Sequence, residues 1–69
     1  MGMSNTATRI PASELAAGDT IVFLSERHVV AEVVPAAEST RRIVPGALRA
    51  VCRDGWSMTI DPAGVVEIA

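Results

Sequence analysis

The chain has one cysteine and one histidine, so His28 and Cys52 are its only candidate base and nucleophile. A Cys–His dyad needs the imidazole within hydrogen-bond reach of the sulfur and a third group to orient it, and nothing in the spacing of these two secures either condition. One histidine and one cysteine also fall short of the three or four ligands of a zinc site. Asp54 and Asp61 have turn and capping roles, and Glu32 and Glu67 read as outward strand positions, so no pair of carboxylates is set up for hydrolysis. Gly46, Gly55 and Gly64 each belong to a separate turn, which excludes a glycine-rich phosphate loop. The expectation is a protein that is not an enzyme and uses no cofactor.

What remains is arginine. All six cationic residues are arginine, and Arg41, Arg42, Arg49 and Arg53 lie in a segment, 39–53, that contains no acid, whereas the flanks carry all eight acidic residues. A net charge of −2 gives no general attraction to phosphate backbones. A local cluster of guanidinium groups can still fork onto the carboxylates of a protein or onto phosphate. The plainer account of the same residues is a set of solvated strand faces. Arg41, Arg42, Arg49, Val51 and Arg53 are the candidate binding residues. A protein partner is the leading expectation, because nucleic-acid-binding barrels of this size add exposed aromatics for base stacking and this face has none beyond an edge of Trp56. Nucleic-acid binding through the same arginines is the alternative.

These side chains need elements to position them. Sixty-nine residues allow one domain, expected over 9–69 behind a flexible tail at 1–8. A chain of this size buries only about 60% of the surface its unfolded form exposes. A surface that binds is therefore a better expectation than a deep catalytic cleft. A single cysteine cannot close a disulfide, no secretory signal is seen, and no apolar run approaches a membrane span, so a soluble, cytoplasmic protein without membrane contact is expected. Met1-Gly2-Met3-Ser4-Asn5-Thr6 fits the N-myristoylation pattern, although a vector remnant or a second start codon explains it more simply.

Pro11 to Asp19 reads as a turn of helix or 3₁₀ helix closed by Gly18, with Leu15 inward. Thr20–Leu24 is a β-branched apolar run suited to a buried strand, Ser25-Glu26-Arg27 a turn, and His28–Val34 a second strand. Glu32 in mid-strand should face water with Val30 and Val34, sending Val29, Ala31 and Val33 to the core. Residues 35–40 read as a loop and Arg41–Val44 as an edge strand that ends at Pro45-Gly46. That edge could pair with a second copy to give a homodimer.

The register of the last hairpin can be derived. A two-residue turn at Asp54-Gly55 would set Arg49, Val51 and Arg53 on the tryptophan face. A three-residue loop, Arg53-Asp54-Gly55, with a G1 bulge at glycine pairs Cys52 with Trp56, Ala50 with Met58 and Leu48 with Ile60, leaving one face wholly apolar. Hydrophobic pattern selects the second. Cys52 and Trp56 are then core neighbours, with Arg49, Val51, Ser57 and Thr59 on the outer face. Asp61-Pro62-Ala63-Gly64 suggests a one-turn 3₁₀ element, and Val65–Ile68 a closing strand with Glu67 outward.

The order "ASELAAGDTIV", a valine-rich strand, a "DGW" hairpin and "DPAGVVEI" resembles the small SH3-like β-barrel proteins of high-GC bacteria and their phages. The resemblance covers about residues 9–69 and implies an all-β fold: an antiparallel barrel of five to six short strands with a 3₁₀ turn before the last strand. It supplies no catalytic residues. With Phe23 and Trp56 as the only aromatics, it does not carry the aromatic groove that binds proline-rich peptides. The function expected is that of a small protein-interaction or regulatory module.

Overall fold

The computed structural model describes residues 8–69. The tail expected at 1–8, with its Met-Gly motif, therefore lies outside the described residues apart from Thr8, which opens the first strand. Six strands, β1 (Thr8–Pro11), β2 (Thr20–Phe23), β3 (Glu26–Pro35), β4 (Leu48–Cys52), β5 (Ser57–Ile60) and β6 (Val65–Ile68), pair in the antiparallel order β1-β6-β2-β3-β4-β5. A 3₁₀ turn, Ala12–Glu14, follows β1, and a short helix, α1 (Glu38–Ile43), separates β3 from β4. No described helix is long and apolar enough to cross a membrane.

The 10-residue strand β3 organises the sheet. Its first half pairs with β2, Ile21 opposite His28, and its second half with β4, Val33 opposite Ala50. Between the halves the register slips by one residue at Ala31. A bulge of this kind bends a strand and reverses the side-chain parity beyond it. His28 and Val30 are buried before the bulge, Ala31 and Glu32 are exposed, and Val33 packs against the core after it. Of the expected inward set Val29, Ala31 and Val33, Val33 packs against the core, but Val29 is only half-buried and Ala31 is exposed, and Val30, expected to face water, is fully buried.

The core is formed by Ala12, Leu15, Ile21, Val30, Ala50, Cys52, Ile60 and Val66. The 3₁₀ turn seats Leu15 in it, and Gly18 turns the chain back at φ +97° so that its N–H donates to the Val30 carbonyl at 2.8 Å. β6 returns beside β2, with Ile21 opposite Ile68, Val66 buried and Glu67 exposed as its alternation requires. β1, which the sequence left within the tail and the approach to the 3₁₀ turn, pairs along β6 from Thr8–Ile68 to Pro11–Val65. No ladder joins β1 to β5 among the described residues, so the expected barrel closure is not found.

Two further elements differ from expectation. Residues 41–43, expected in an edge strand, lie in α1. Glu38 in the first turn and Arg41 and Arg42 in the last complement the helix dipole, and Arg42 Nη2 bonds Glu38 Oε2 at 3.3 Å across an i,i+4 spacing. Those local terms prevail in a segment with no alternating apolar face. Asp61–Gly64 is a turn rather than a 3₁₀ helix: one i→i+3 bond, Gly64 N–H to the Asp61 carbonyl at 2.9 Å, and a 2.9 Å bond from Ala63 N–H to Asp61 Oδ1. A repeated i→i+3 pattern is absent there.

β2 and β3 are joined by a two-residue turn in which Leu24 and Ser25 have φ of +50° and +69°. This is type I′ geometry, for which Asn-Gly is the favoured pair. Leucine in the left-handed region costs roughly 1–2 kcal/mol, and Leu24 is exposed besides. Leu24→Asn combined with Ser25→Gly is expected to raise unfolding free energy by about 1–2 kcal/mol in urea titration. An unchanged or lowered midpoint would show that Leu24 contributes packing that offsets its backbone strain.

Candidate functional site

The β4–β5 hairpin has the three-residue loop derived from the pattern. Gly55 has φ +90°, its N–H donates to the Cys52 carbonyl at 3.0 Å, and Cys52 N–H donates to the Trp56 carbonyl at 2.8 Å. Ala50 faces Met58 and Leu48 faces Ile60, so Arg49, Val51, Ser57 and Thr59 share the opposite face. Arg49 is exposed and reaches across to β5, where Nη2 donates to Ser57 Oγ at 3.2 Å. Val51 is half-buried between Ser57 on β5 and Glu32 on β3. Arg53 stands at the hairpin tip, its backbone N–H on the Val29 carbonyl at 2.9 Å and its guanidinium exposed, without a bond or ion pair among the described residues.

Arg41 and Arg42 lie at the opposite end of β4 from Arg53. Both ride on α1, which precedes β4, whereas Arg53 follows it; five residues of strand lie between, about 16 Å at 3.3 Å per residue. Arg41 Nε donates to the Ala36 carbonyl at 2.9 Å, and Ala36 N–H in turn to the Ala47 carbonyl at 3.0 Å. Arg41 therefore fastens the helix to the base of β4, and Arg42 is engaged with Glu38. Arg49 and Val51 share one face of the hairpin, Arg53 lies in the turn that follows β4, and Arg41 and Arg42 lie on α1 at the other end of that strand.

A second cluster went unseen in the sequence. His28, 7% exposed, stacks on Trp56 with ring centroids 4.0 Å apart and planes 10° from parallel. Its Nδ1 bonds Asp54 Oδ2 at 2.7 Å, while Asp54 Oδ1 accepts the Trp56 N–H at 3.0 Å. Nε2 has no hydrogen-bond partner, and Glu26 Oε1 stands 3.5 Å away. The His28–Cys52 dyad weighed from the sequence is not formed, since Asp54 holds one ring nitrogen and the other is unbonded. Trp56 is half-buried rather than fully interior, and Phe23, 43% exposed, tilts against it at 5.5 Å. Asp54 and His28 are 26 residues apart, and no local pattern announces such a contact. Only an Asp-Gly turn beside a lone tryptophan marked the place.

Electrostatics follow from these contacts. The Trp56 N–H, then the His28 ring, holds the Asp54 carboxyl below its ordinary value of 3.8. A carboxylate favoured in the folded state contributes stability that is present above the unfolded value and lost as pH falls through the folded one. Asp54→Asn keeps the Trp56 bond but removes that titration. Its urea midpoint should therefore fall less than that of the parent chain between pH 5 and pH 3, and parallel losses would contradict the assignment. Burial, then the charge of Asp54, pushes the Cys52 thiol up, which favours its protonated form in the folded chain. No group of three or more metal-ligating residues is assembled among the described residues.

Comparisons with protein families, with curated proteins and with solved structures found no match.

Proposed function

We infer that this protein is a non-enzymatic interaction or regulatory module that binds a protein partner through the outer face of the β4–β5 hairpin. The supporting observation is the grouping of Arg49, Val51, Ser57 and Thr59 on one face with the free guanidinium of Arg53 at its tip. Arginine forks are suited to paired recognition of carboxylates, and a β-branched residue between them offers apolar contact. Glu32 beside Val51 and Asp54 beside Arg53 favour a partner of mixed charge over a continuous polyanion. Arg49→Glu combined with Arg53→Glu should abolish capture of the partner while leaving the unfolding free energy within about 0.5 kcal/mol, as expected of exposed sites. Capture that survives both substitutions contradicts the reading.

The SH3-like barrel belongs to the same reading. Its support is the β2-β3-β4-β5 meander with β6 returning beside β2. The setting proposed with it is the cytoplasm of a high-GC bacterium, with the gene carried by the cell or by its phage.

One observation favours a second reading, single-stranded nucleic acid. Phe23 and Trp56 form a partly exposed aromatic pair, with Arg53 on the loop leading into Trp56. Bases stack on such ledges for about 1–3 kcal/mol each. The salt dependence of binding separates the two: a nucleic-acid complex should weaken with a slope of about −0.7 per phosphate neutralised on a single strand.

A further inference from the structure

The two ends of the sheet are protected differently. β1 carries Arg9 and ends in Pro11, both of which discourage strand pairing at an edge. β5 reads Ser57-Met58-Thr59-Ile60 and has no charge, no proline and no bulge. The hydrogen bond from Cys52 N–H to the Trp56 carbonyl sets the phase of the hairpin, so Ala50–Met58 and Leu48–Ile60 are its bonded pairs. The backbone N–H and C=O groups of Ser57 and Thr59 then point away from β4. They face an edge that no described strand covers.

The side chains of the same residues lie on the arginine face, and Arg49 already extends over β5 to Ser57. Glu32 is on β3, on the far side of β4 from this edge. A strand added outside β5 would lie about 4.8 Å beyond it, with residues opposite Ser57 and Thr59 projecting on the arginine side. Carboxylates at those two positions would come within reach of Arg49, and of Arg53 at the hairpin tip. The residue between them would fall on the other face, beside half-buried Met58, where an apolar side chain fits.

We propose that β5 is the docking edge for an extended acidic segment of the protein partner, which adds as a further strand with Asp or Glu opposite Ser57 and Thr59 and an apolar residue between. This rests on the reading that the arginine-bearing hairpin binds a protein, and it specifies the partner's chemistry. A second copy of the chain fits the edge less well, because β5 has no carboxylate to offer Arg49.

The test uses the full chain, labelled with ¹⁵N, and a capped synthetic peptide Thr-Glu-Val-Glu-Val-Thr, with lysine replacing glutamate in the control. The acidic peptide should bind saturably and slow amide exchange at Ser57 and Thr59 at least about tenfold, while the lysine peptide should do neither. Arg49→Ala should weaken binding about tenfold, the scale of a charge-assisted hydrogen bond. Thr59→Pro removes an N–H that the fold does not use and should abolish binding. If that variant fails to fold, the exchange measurement on the parent chain still decides. Arg49-dependent binding with freely exchanging Ser57 and Thr59 amides would overturn the edge while leaving the arginine face standing. The edge is overturned in the same way if neither peptide binds although partner capture still requires Arg49 and Arg53, or if both peptides bind equally. Protection that rises with protein concentration and needs no peptide would assign the edge to a second copy and also overturn the proposal. Capture independent of Arg49 and Arg53, or capture lost entirely to nuclease, removes the reading beneath it.

Discussion

Ile21→Ala is expected to lower unfolding free energy by about 2–5 kcal/mol, the cost of truncating a large aliphatic side chain in a closed core. Ile21 is 1% exposed and sits where two parts of the sheet meet. It faces His28 in the β2–β3 ladder and Ile68 across the short β2–β6 junction, which Ala69 N–H to the Thr20 carbonyl at 3.0 Å extends. The surrounding backbone is held on both sides, so the space left by the lost atoms cannot collapse readily. A core in a domain below about 70–80 residues rarely supplies more than 3–5 kcal/mol of net stability. The variant should therefore be largely unfolded at 25 °C by circular dichroism. A loss below about 1 kcal/mol would show that β6 repacks onto β2 without this side chain.

Trp56→Ala carries the second large effect. Burial of a whole tryptophan is worth about 3–5 kcal/mol on truncation, and an incompletely buried ring such as that of Trp56 should cost roughly 2–3. Two contacts make the position more than surface. The indole covers the His28 imidazole at 4.0 Å, and the ring of Phe23 leans on the indole at 5.5 Å. Without it the imidazole opens to water and the β4–β5 tip loses its packing against the β2–β3 hairpin. Trp56→Phe should recover about half of the loss by keeping an aromatic stack. Equal losses for alanine and phenylalanine would mean that the indole acts by something other than ring contact.

The parts of the fold that could be read from the sequence share one property: a side-chain pattern that only one register satisfies. In β4 and β5 the alternation of Arg49 and Val51 with Leu48, Ala50 and Cys52 admits one pairing, and the hairpin adopts it. In β6 a single Glu67 between Val66 and Ile68 serves the same purpose. From Val29 to Val34 Glu32 is the single polar residue; its parity holds beyond the bulge, where Val33 packs inward, but the apolar residues before it leave no trace of the bulge at Ala31. Leu24-Ser25 lacks the Asn-Gly signature of its turn and hides the true limit of β2. In α1 the Glu38–Arg42 spacing was the one available helical signal, in a segment too short for periodicity.

The candidate site divides along the same line. Arg49, Val51 and Arg53 follow from the hairpin register, whereas Arg41 and Arg42 depended on an edge strand that is instead a helix. The His28–Asp54–Trp56 cluster depends on how the β2–β3 and β4–β5 hairpins dock, and no spacing within either hairpin encodes that.

Affinity capture from lysate of the source cell, with and without nuclease, using the parent chain and the Arg49→Glu, Arg53→Glu variant side by side, decides whether the arginine face of the β4–β5 hairpin holds a protein. The prediction is one specific protein retained by the parent after nuclease and absent from the variant. Loss of all captured material after nuclease, or equal retention by the variant, would contradict it.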